Sequence, residues 1–124
     1  MKRVLVVDPS FEARALCAEL RVDGVEVVLC GHPRDALLEL EQAPAEVVFV
    51  DLMLPGTTGL AFARLLRERI PDARVVLTGA YHLSERQLLR ADCGAVGFVP
   101  KPYSTREVAE YLGGQASKRF AQAV

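Results

Sequence analysis

Five short apolar runs recur along the chain, at residues 4–7, 25–29, 47–50, 75–78 and 95–99, and each gives way to polar or turn-forming residues. The first, third and fourth are continuous, which predicts strands buried on both faces of a sheet. The second alternates, with Val25, Val27 and Leu29 interleaved by Glu26 and Val28, which suits a less buried edge strand. Pro100 directly follows the fifth, a position tolerable only on an edge strand or at a strand end. Between the runs the spacing turns helical. Ala13, Leu16, Cys17 and Leu20 share one face of residues 11–22, and Asp23-Gly24 then makes a turn. Pro33 opens a second helix that turns Ala36, Leu37 and Leu40 inward and closes before Pro44. After a loop at 55–59, Phe62, Ala63, Leu66 and Ile70 form the stripe of a third helix, with Arg64, Arg67, Glu68 and Arg69 on its solvated face and Pro71 beyond its end. Ser84 with Gln87 and Ser104 with Glu107 are capping-box pairs for the last two helices, and Gly94 stops the first of these. Gly113-Gly114 either ends or weakens the last helix, while the spacing of Val108, Leu112, Ala116 and Phe120 allows it to continue. Five strands alternating with five helices predict one doubly wound α/β domain over 1–124, a parallel sheet with helices on both faces joined by right-handed crossovers.

Composition narrows the function classes. At 124 residues and 51% hydrophobic, the chain builds one real core and is neither disordered nor fibrous. Sixteen acids against fifteen bases give a net charge of −1, so nothing drives it toward DNA or an anionic membrane surface. Cys17, Cys30 and Cys93 are scattered and odd in number, which suits small buried hydrophobes in a reducing cytoplasm rather than a disulfide or zinc set. His32 and His82 lack ligand-like spacing and read as surface loop positions. The apolar run after Lys2-Arg3 ends at Asp8, too short for a signal peptide, and no run is long enough to span a membrane. The expected location is the cytoplasm, with no direct nucleic-acid contact and no membrane insertion.

The chemistry is read at the strand ends. In an open α/β sheet, ligands bind at the carboxyl ends of the strands, near the point where strand order switches. Those ends carry Asp8, Asp51, Thr78 followed by Gly79, and Lys101 followed by Pro102. Two carboxylates a few Å apart repel and need a cation or a shared proton. Mg²⁺ takes one or two carboxylates and fills its shell with water and phosphate oxygens. Asp51, at the end of the central run before Pro55-Gly56, is placed to attack phosphorus and form an aspartyl phosphate. Lys101 and the metal would neutralise the phosphoryl oxygens, Thr78 would donate a hydrogen bond, and Gly79 would leave room for the phosphoryl group.

At this point the chain resembles the receiver domain of bacterial two-component response regulators over essentially its whole length. The resemblance is carried by Val6-Val7-Asp8, by Val50-Asp51-Leu52-Met53-Leu54-Pro55-Gly56 with Gly59, by Leu77-Thr78-Gly79, and by residues 94–102 ending in Pro100-Lys101-Pro102. It implies a flavodoxin-like sheet of order 2-1-3-4-5. It implies Asp51 as phosphoacceptor from a histidine kinase or phosphotransfer protein, and Asp8, Asp51 and the Met53 backbone carbonyl as the Mg²⁺ site. Thr78, Gly79 and Lys101 would surround the phosphoryl group. Thr78 and Phe98 match the pair that rearranges on phosphorylation, and the peptide to Pro102 is expected to be cis. One departure stands out. The family usually has two adjacent acids after the first strand, and here the second is Pro9. Metal affinity is expected to weaken and phosphorylation to slow. Glu12 lies nearby in sequence, in the first turn of the helix, and its reach into the pocket is left open.

The expected function is a phosphoprotein that signals through a partner docking on the face built from the fourth helix, fifth strand and fifth helix, and that is not a turnover enzyme. The chain reads as stand-alone or as the amino-terminal domain of something longer. The alternative is a pseudo-receiver of the same fold that binds protein constitutively without phosphorylation. Two enzyme readings fit poorly. A flavodoxin-like protein wants a Ser/Thr/Gly-rich loop where Asp8-Pro9 stands, and a haloacid-dehalogenase-type phosphatase wants an Asp-x-Asp that Asp8-Pro9-Ser10 does not supply.

Overall fold

The structure, a computed structural model, describes residues 2–117. In chain order its elements are β1 (Arg3–Val7), α1 (Ala13–Val22), β2 (Glu26–Cys30), α2 (Pro33–Gln42), β3 (Val47–Asp51), β4 (Met53–Leu54) and β5 (Thr57–Thr58). Then follow α3 (Gly59–Arg69), β6 (Arg74–Gly79), α4 (Glu85–Ala91), β7 (Gly97–Pro100) and α5 (Thr105–Ala116). The five main strands form one parallel sheet in the order β2-β1-β3-β6-β7, which is the expected 2-1-3-4-5 arrangement. The strands with continuous apolar runs lie inside it, and the alternating β2 lies at an edge. β7 forms the other edge, where Pro100 is tolerated.

The pleat sorts side chains into two cores. Val4, Val6, Phe49 and Val76 face the layer made by α1 and α5, packing on Leu16, Leu20, Val108 and Leu112. Leu5, Val7, Val48, Val50 and Leu77 face the opposite layer, packing on Ala36, Leu40, Phe62 and Leu66. Each fully buried Val or Leu here contributes about 1.5–3 kcal/mol relative to exposure, so the central strands are the most strongly held part of the molecule. A charged residue also belongs to this scaffold. Arg3 is buried, and its guanidinium meets Glu39 at 2.8 Å and the Ala43 carbonyl at 2.6 Å, tying the start of β1 to the end of α2.

Local details depart from expectation at several points. The loop at 55–59 contains a small antiparallel pair, β4 with β5, closed by Pro55 and by Gly56 at φ +76°, the arrangement a type II turn requires. The fourth helix carries the full capping box of Ser84 and Gln87, but Asp92 rather than Gly94 ends it, in the left-handed region at φ 48°. Aspartate tolerates that conformation, and its carboxylate lies 2.9 Å from Arg67. Arg64 also reaches across, donating to the Ala91 and Asp92 carbonyls, so these α3 arginines are tethers to the end of α4 rather than a purely solvated face. Ser104 accepts from the Glu107 N–H, which is half a capping box. α5 runs through Gly113-Gly114 to Ala116; Phe120 lies outside the described residues.

One glycine is required by the close approach that holds the central loop against its own strand. The Gly59 N–H donates to the Leu52 carbonyl at 2.8 Å. A Cβ there would collide with the Asp51 carbonyl oxygen and lie 2.9 Å from Leu52 Cα. Backbone cannot move aside as a flexible side chain can. Gly59→Ala is therefore expected to lower unfolding free energy by about 1–3 kcal/mol, read from a urea titration, and an unchanged midpoint would contradict this contact.

Candidate functional site

Four of the expected site side chains reach one rim because of strand parity. Asp8, Asp51, Thr78 and Lys101 stand two residues beyond Val6, Phe49, Val76 and Val99, all of which face the α1–α5 layer. The backbone ladder extends past the strands to pin them. The Asp8 N–H donates to the Cys30 carbonyl at 3.0 Å, the Leu52 N–H to Thr78 at 2.8 Å, and the Lys101 N–H to Gly79 at 2.9 Å. Asp51 pairs in register with Thr78, and Thr78 with Val99. The peptide between Lys101 and Pro102 is cis.

Each aspartate divides its two oxygens in the same way. Asp8 Oδ1 accepts from the Ser10 N–H at 2.8 Å, and Asp51 Oδ1 accepts from the Met53 N–H at 3.2 Å. These are Asx-type turns, in which a carboxylate holds the backbone two residues on. The other oxygens converge on one ammonium: Lys101 Nζ lies 3.0 Å from Asp8 Oδ2 and 3.1 Å from Asp51 Oδ2. Asp8 is sealed, with its side chain 0% exposed, whereas the Asp51 side chain keeps 10%. The carboxylate proposed to react is thus the one solvent can touch.

Burial and charge separate the two acids. Burial pushes the Asp51 carboxyl above the ordinary aspartate range; the Met53 N–H and Lys101 only partly offset this, and the Asp8 charge adds to it. Burial pushes Asp8 the same way, but hydrogen bonds from Ser10 and the Lys101 ammonium outweigh it and hold its carboxyl below the usual value. Desolvation alone would lower Lys101; the hydrogen bonds and charges of Asp8 and Asp51 overcome it and raise its pKa, so the ammonium stays charged. Beside them the Tyr103 hydroxyl is pushed up to about 12 by burial and by Asp8, while its ring meets the edge of Phe49 at 5.9 Å between centroids.

The other expected residues fall as follows. The Thr78 hydroxyl, fully buried, donates to the Val99 carbonyl at 2.7 Å rather than toward Asp51. Gly79 sits at the rim, where a Cβ would meet the Leu52 side chain at 2.9 Å, so its bareness makes room for Leu52. Phe98 is half-buried on the opposite face of the sheet, its ring edge-on to His82 at 6.1 Å. His82 is an exposed loop residue, while His32 caps α2, its Nδ1 accepting from the Arg34 N–H at 3.1 Å. All three cysteines are buried thiols. Three neighbours of the site were not singled out from sequence as site residues. Ser10 Oγ lies 3.4 Å from Lys101 Nζ, Glu12 Oε1 also 3.4 Å from it, and Tyr103 packs beneath. The Asp-Pro-Ser turn signal was available for Ser10; nothing in the periodicity marked Tyr103.

The donor set fits Mg²⁺. Asp8 Oδ2 is buried and meets only the Lys101 ammonium, at 3.0 Å, so a lone pair remains for a cation. Among the described residues no three acidic, histidine or cysteine side chains form a ready-made metal cluster. Two carboxylates are the number Mg²⁺ ordinarily takes where phosphate and water complete its shell.

The raised Asp51 carboxyl has a stability consequence. A carboxyl whose pKa is raised by folding stabilises while protonated, fully so below its unfolded value, and that contribution is lost as pH rises through the folded value. Ionised Asp51 therefore costs stability at neutral pH. Asp51→Asn leaves Lys101 its pairing with Asp8, so its urea midpoint at pH 7 is expected to exceed that of the unaltered chain. The gain should shrink as pH is lowered toward the ordinary aspartate range; a lower midpoint at pH 7 would contradict the assignment.

The chain is 36% identical over 109 residues to the sensory transduction protein RegX3 of Mycolicibacterium smegmatis, covering 87% of this chain and 47% of that protein. It is 35% identical over 107 residues to the transcriptional regulatory protein BaeR of Escherichia coli, covering 86% and 44%. The chain thus spans about half the length of the curated relatives it matches. Among solved structures, a response regulator from Thermotoga maritima superposes with a TM-score of 0.82 at 28% identity, covering 95% of this chain and 99% of that one. The response regulator TrrA from the same organism, in complex with Mg²⁺-BeF, gives 0.77 at 29% identity, covering 93% and 99%. No described helix is long and apolar enough to cross a membrane. The response regulator receiver domain profile matches residues 4–112, and the chain belongs to that family.

Proposed function

We propose that this chain is a single receiver domain that accepts a phosphoryl group on Asp51 from a histidine kinase or phosphotransfer protein and passes the signal through protein contacts. The observation that carries the reading is the convergence of Asp8 and Asp51 on Lys101 at the sheet rim, with Asp51 the partly exposed member. An Asp51 oxygen attacks phosphorus, the bond to the donor's imidazole nitrogen or acyl oxygen breaks, and an aspartyl phosphate remains. Lys101, already placed 3.1 Å from Asp51, follows the charge onto the phosphoryl oxygens. Asp8, buried and ionised, stays behind as the fixed anion. Mg²⁺, which the TrrA structure holds with BeF, would sit on Asp8, Asp51 and the Met53 carbonyl and supply further positive charge. The protein is consumed and regenerated as a signal carrier, not as a turnover enzyme.

The readout runs through Thr78. Its hydroxyl reaches the phosphoryl group only by releasing the Val99 carbonyl in β7. Phe98 precedes Val99 and lies against the α4 side of the sheet. α4 has no buried residue, so little packing resists its displacement. Leu89 and Val96 are exposed there and Tyr111 of α5 borders them, which makes the α4–β7–α5 face the proposed contact surface for a downstream protein. Phe98 has no hydroxyl, so its movement would be steric alone.

Pro9 favours one other reading, a pseudo-receiver that binds its partner without phosphorylation. Incubation with Mg²⁺ and acetyl phosphate followed by intact mass separates the two. The expected result is a gain of one phosphoryl group that Asp51→Asn abolishes, and no adduct under forcing conditions would establish the pseudo-receiver. Lys101→Met is expected to slow adduct formation by about 10²–10³-fold, the usual effect of losing one charged donor at a reacting oxygen.

A further inference from the structure

α4 is fastened at one end. Two arginines of α3 grip its last turn: Arg64 donates to the Ala91 carbonyl and, through Nε, to the Asp92 carbonyl at 3.4 Å, and Arg67 Nη1 lies 2.9 Å from Asp92 Oδ1. The stem of Arg67 also packs along Gly94, where a Cβ would lie 2.8 Å from its Cδ. Cys93, between Asp92 and Gly94, is buried, so the turn that leaves the helix is seated as well as bonded. Guanidinium groups at the carboxyl end of a helix meet its unpaired carbonyls and the negative end of its dipole, so both arginines hold the end they touch. The other end is satisfied from within. Ser84 and Gln87 cap each other inside the helix. Among the described residues no side chain from another element hydrogen-bonds the first turn of α4. Just before that turn, the His82 ring stands edge-on to Phe98 of β7 at 6.1 Å.

We propose that Arg64 and Arg67 make the carboxyl end of α4 a fixed pivot, and that signalling swings the amino end about it. This rests on the receiver reading of the rim. Thr78 holds the Val99 carbonyl, and Phe98 is the preceding residue of the same strand. Release of Val99 frees that stretch of β7, whose Phe98 ring meets the chain at the unclamped end of α4. A rod held at one end and pushed at the other turns rather than slides. The clamp also sets the resting state. The Arg67–Asp92 pair is exposed on both sides and contributes little alone. The grip comes from joining it to the two backbone carbonyls held by Arg64 and to the packing on Gly94. Loosening that grip lowers the cost of displacing α4, so more molecules already hold the arrangement that accepts a phosphoryl group.

Amide hydrogen exchange followed by NMR on the full chain tests this. Arg64→Ala and Arg67→Ala are each expected to raise exchange at residues 88–92 about two- to fivefold, the usual effect of losing one cation at a helix carboxyl end. The amides of β3 are expected to keep their rates, because the opening is local. Asp92→Asn keeps a residue at ease in the left-handed region; it is expected to raise exchange less, and to add nothing once Arg67 is gone. Arg64→Ala combined with Arg67→Ala is expected to take a phosphoryl group from acetyl phosphate and Mg²⁺ about two- to fivefold faster, although neither residue touches the rim. Unchanged exchange at residues 88–92, a rise shared equally by β3, or an adduct formed no faster would each overturn the pivot. The two claims fail separately. Exchange that follows the arginines with no adduct on any variant or on the unaltered chain would sink the phosphorylation reading alone.

Discussion

The ammonium of Lys101 is the keystone of the molecule's carboxyl-terminal rim. Two aspartates from neighbouring strands lie close together there in a site largely closed to water, and like charges so placed repel strongly. A cation between them turns the repulsion into attraction. Lys101 comes from just beyond the edge strand β7, two strands away from the nearer acid, so the pocket exists only when β3, β6 and β7 lie side by side. The apolar centre of the sheet supplies that order, and the charged rim inherits it.

The two acids are alike in sequence and in their local turns, but they are not equivalent. Asp8 is sealed and held ionised by Ser10 and Lys101, whereas Asp51 is partly open and held above its ordinary pKa by burial. One is a fixed charge, and the other is a carboxylate whose charge burial disfavours. That division is the physical basis for assigning chemistry to Asp51 rather than to Asp8. It also explains why the site couples to the surface: the rim is bonded through Thr78 to β7, and β7 borders the least buried helix of the fold.

Pro9 alters the start of the loop without undoing its turn. Proline removes both a side-chain oxygen and a backbone N–H at the start of the loop. The turn that follows nevertheless survives, because Asp8 Oδ1 holds Ser10 across it. The chain then enters α1 with Glu12 directed back toward Lys101.

What the sequence determined by itself was the architecture and the identity of the rim residues. Continuous apolar runs can be stable only as strands covered on both faces, and alternation with helical stretches then leaves little choice but a doubly wound sheet. Position at the strand ends also gathered Asp8, Asp51, Thr78 and Lys101 on one rim, since an open α/β sheet meets its ligands at the carboxyl ends of its strands. The tertiary structure alone decided the rest. It showed that Glu12 crosses to Lys101, that Gly79 makes room for Leu52, that Arg64 and Arg67 tether α4, and that Asp92 ends that helix. Each of these depends on the distance between side chains from different elements. Periodicity reports only which face a residue occupies, so contacts across the gap between elements become visible only once packing has set that gap.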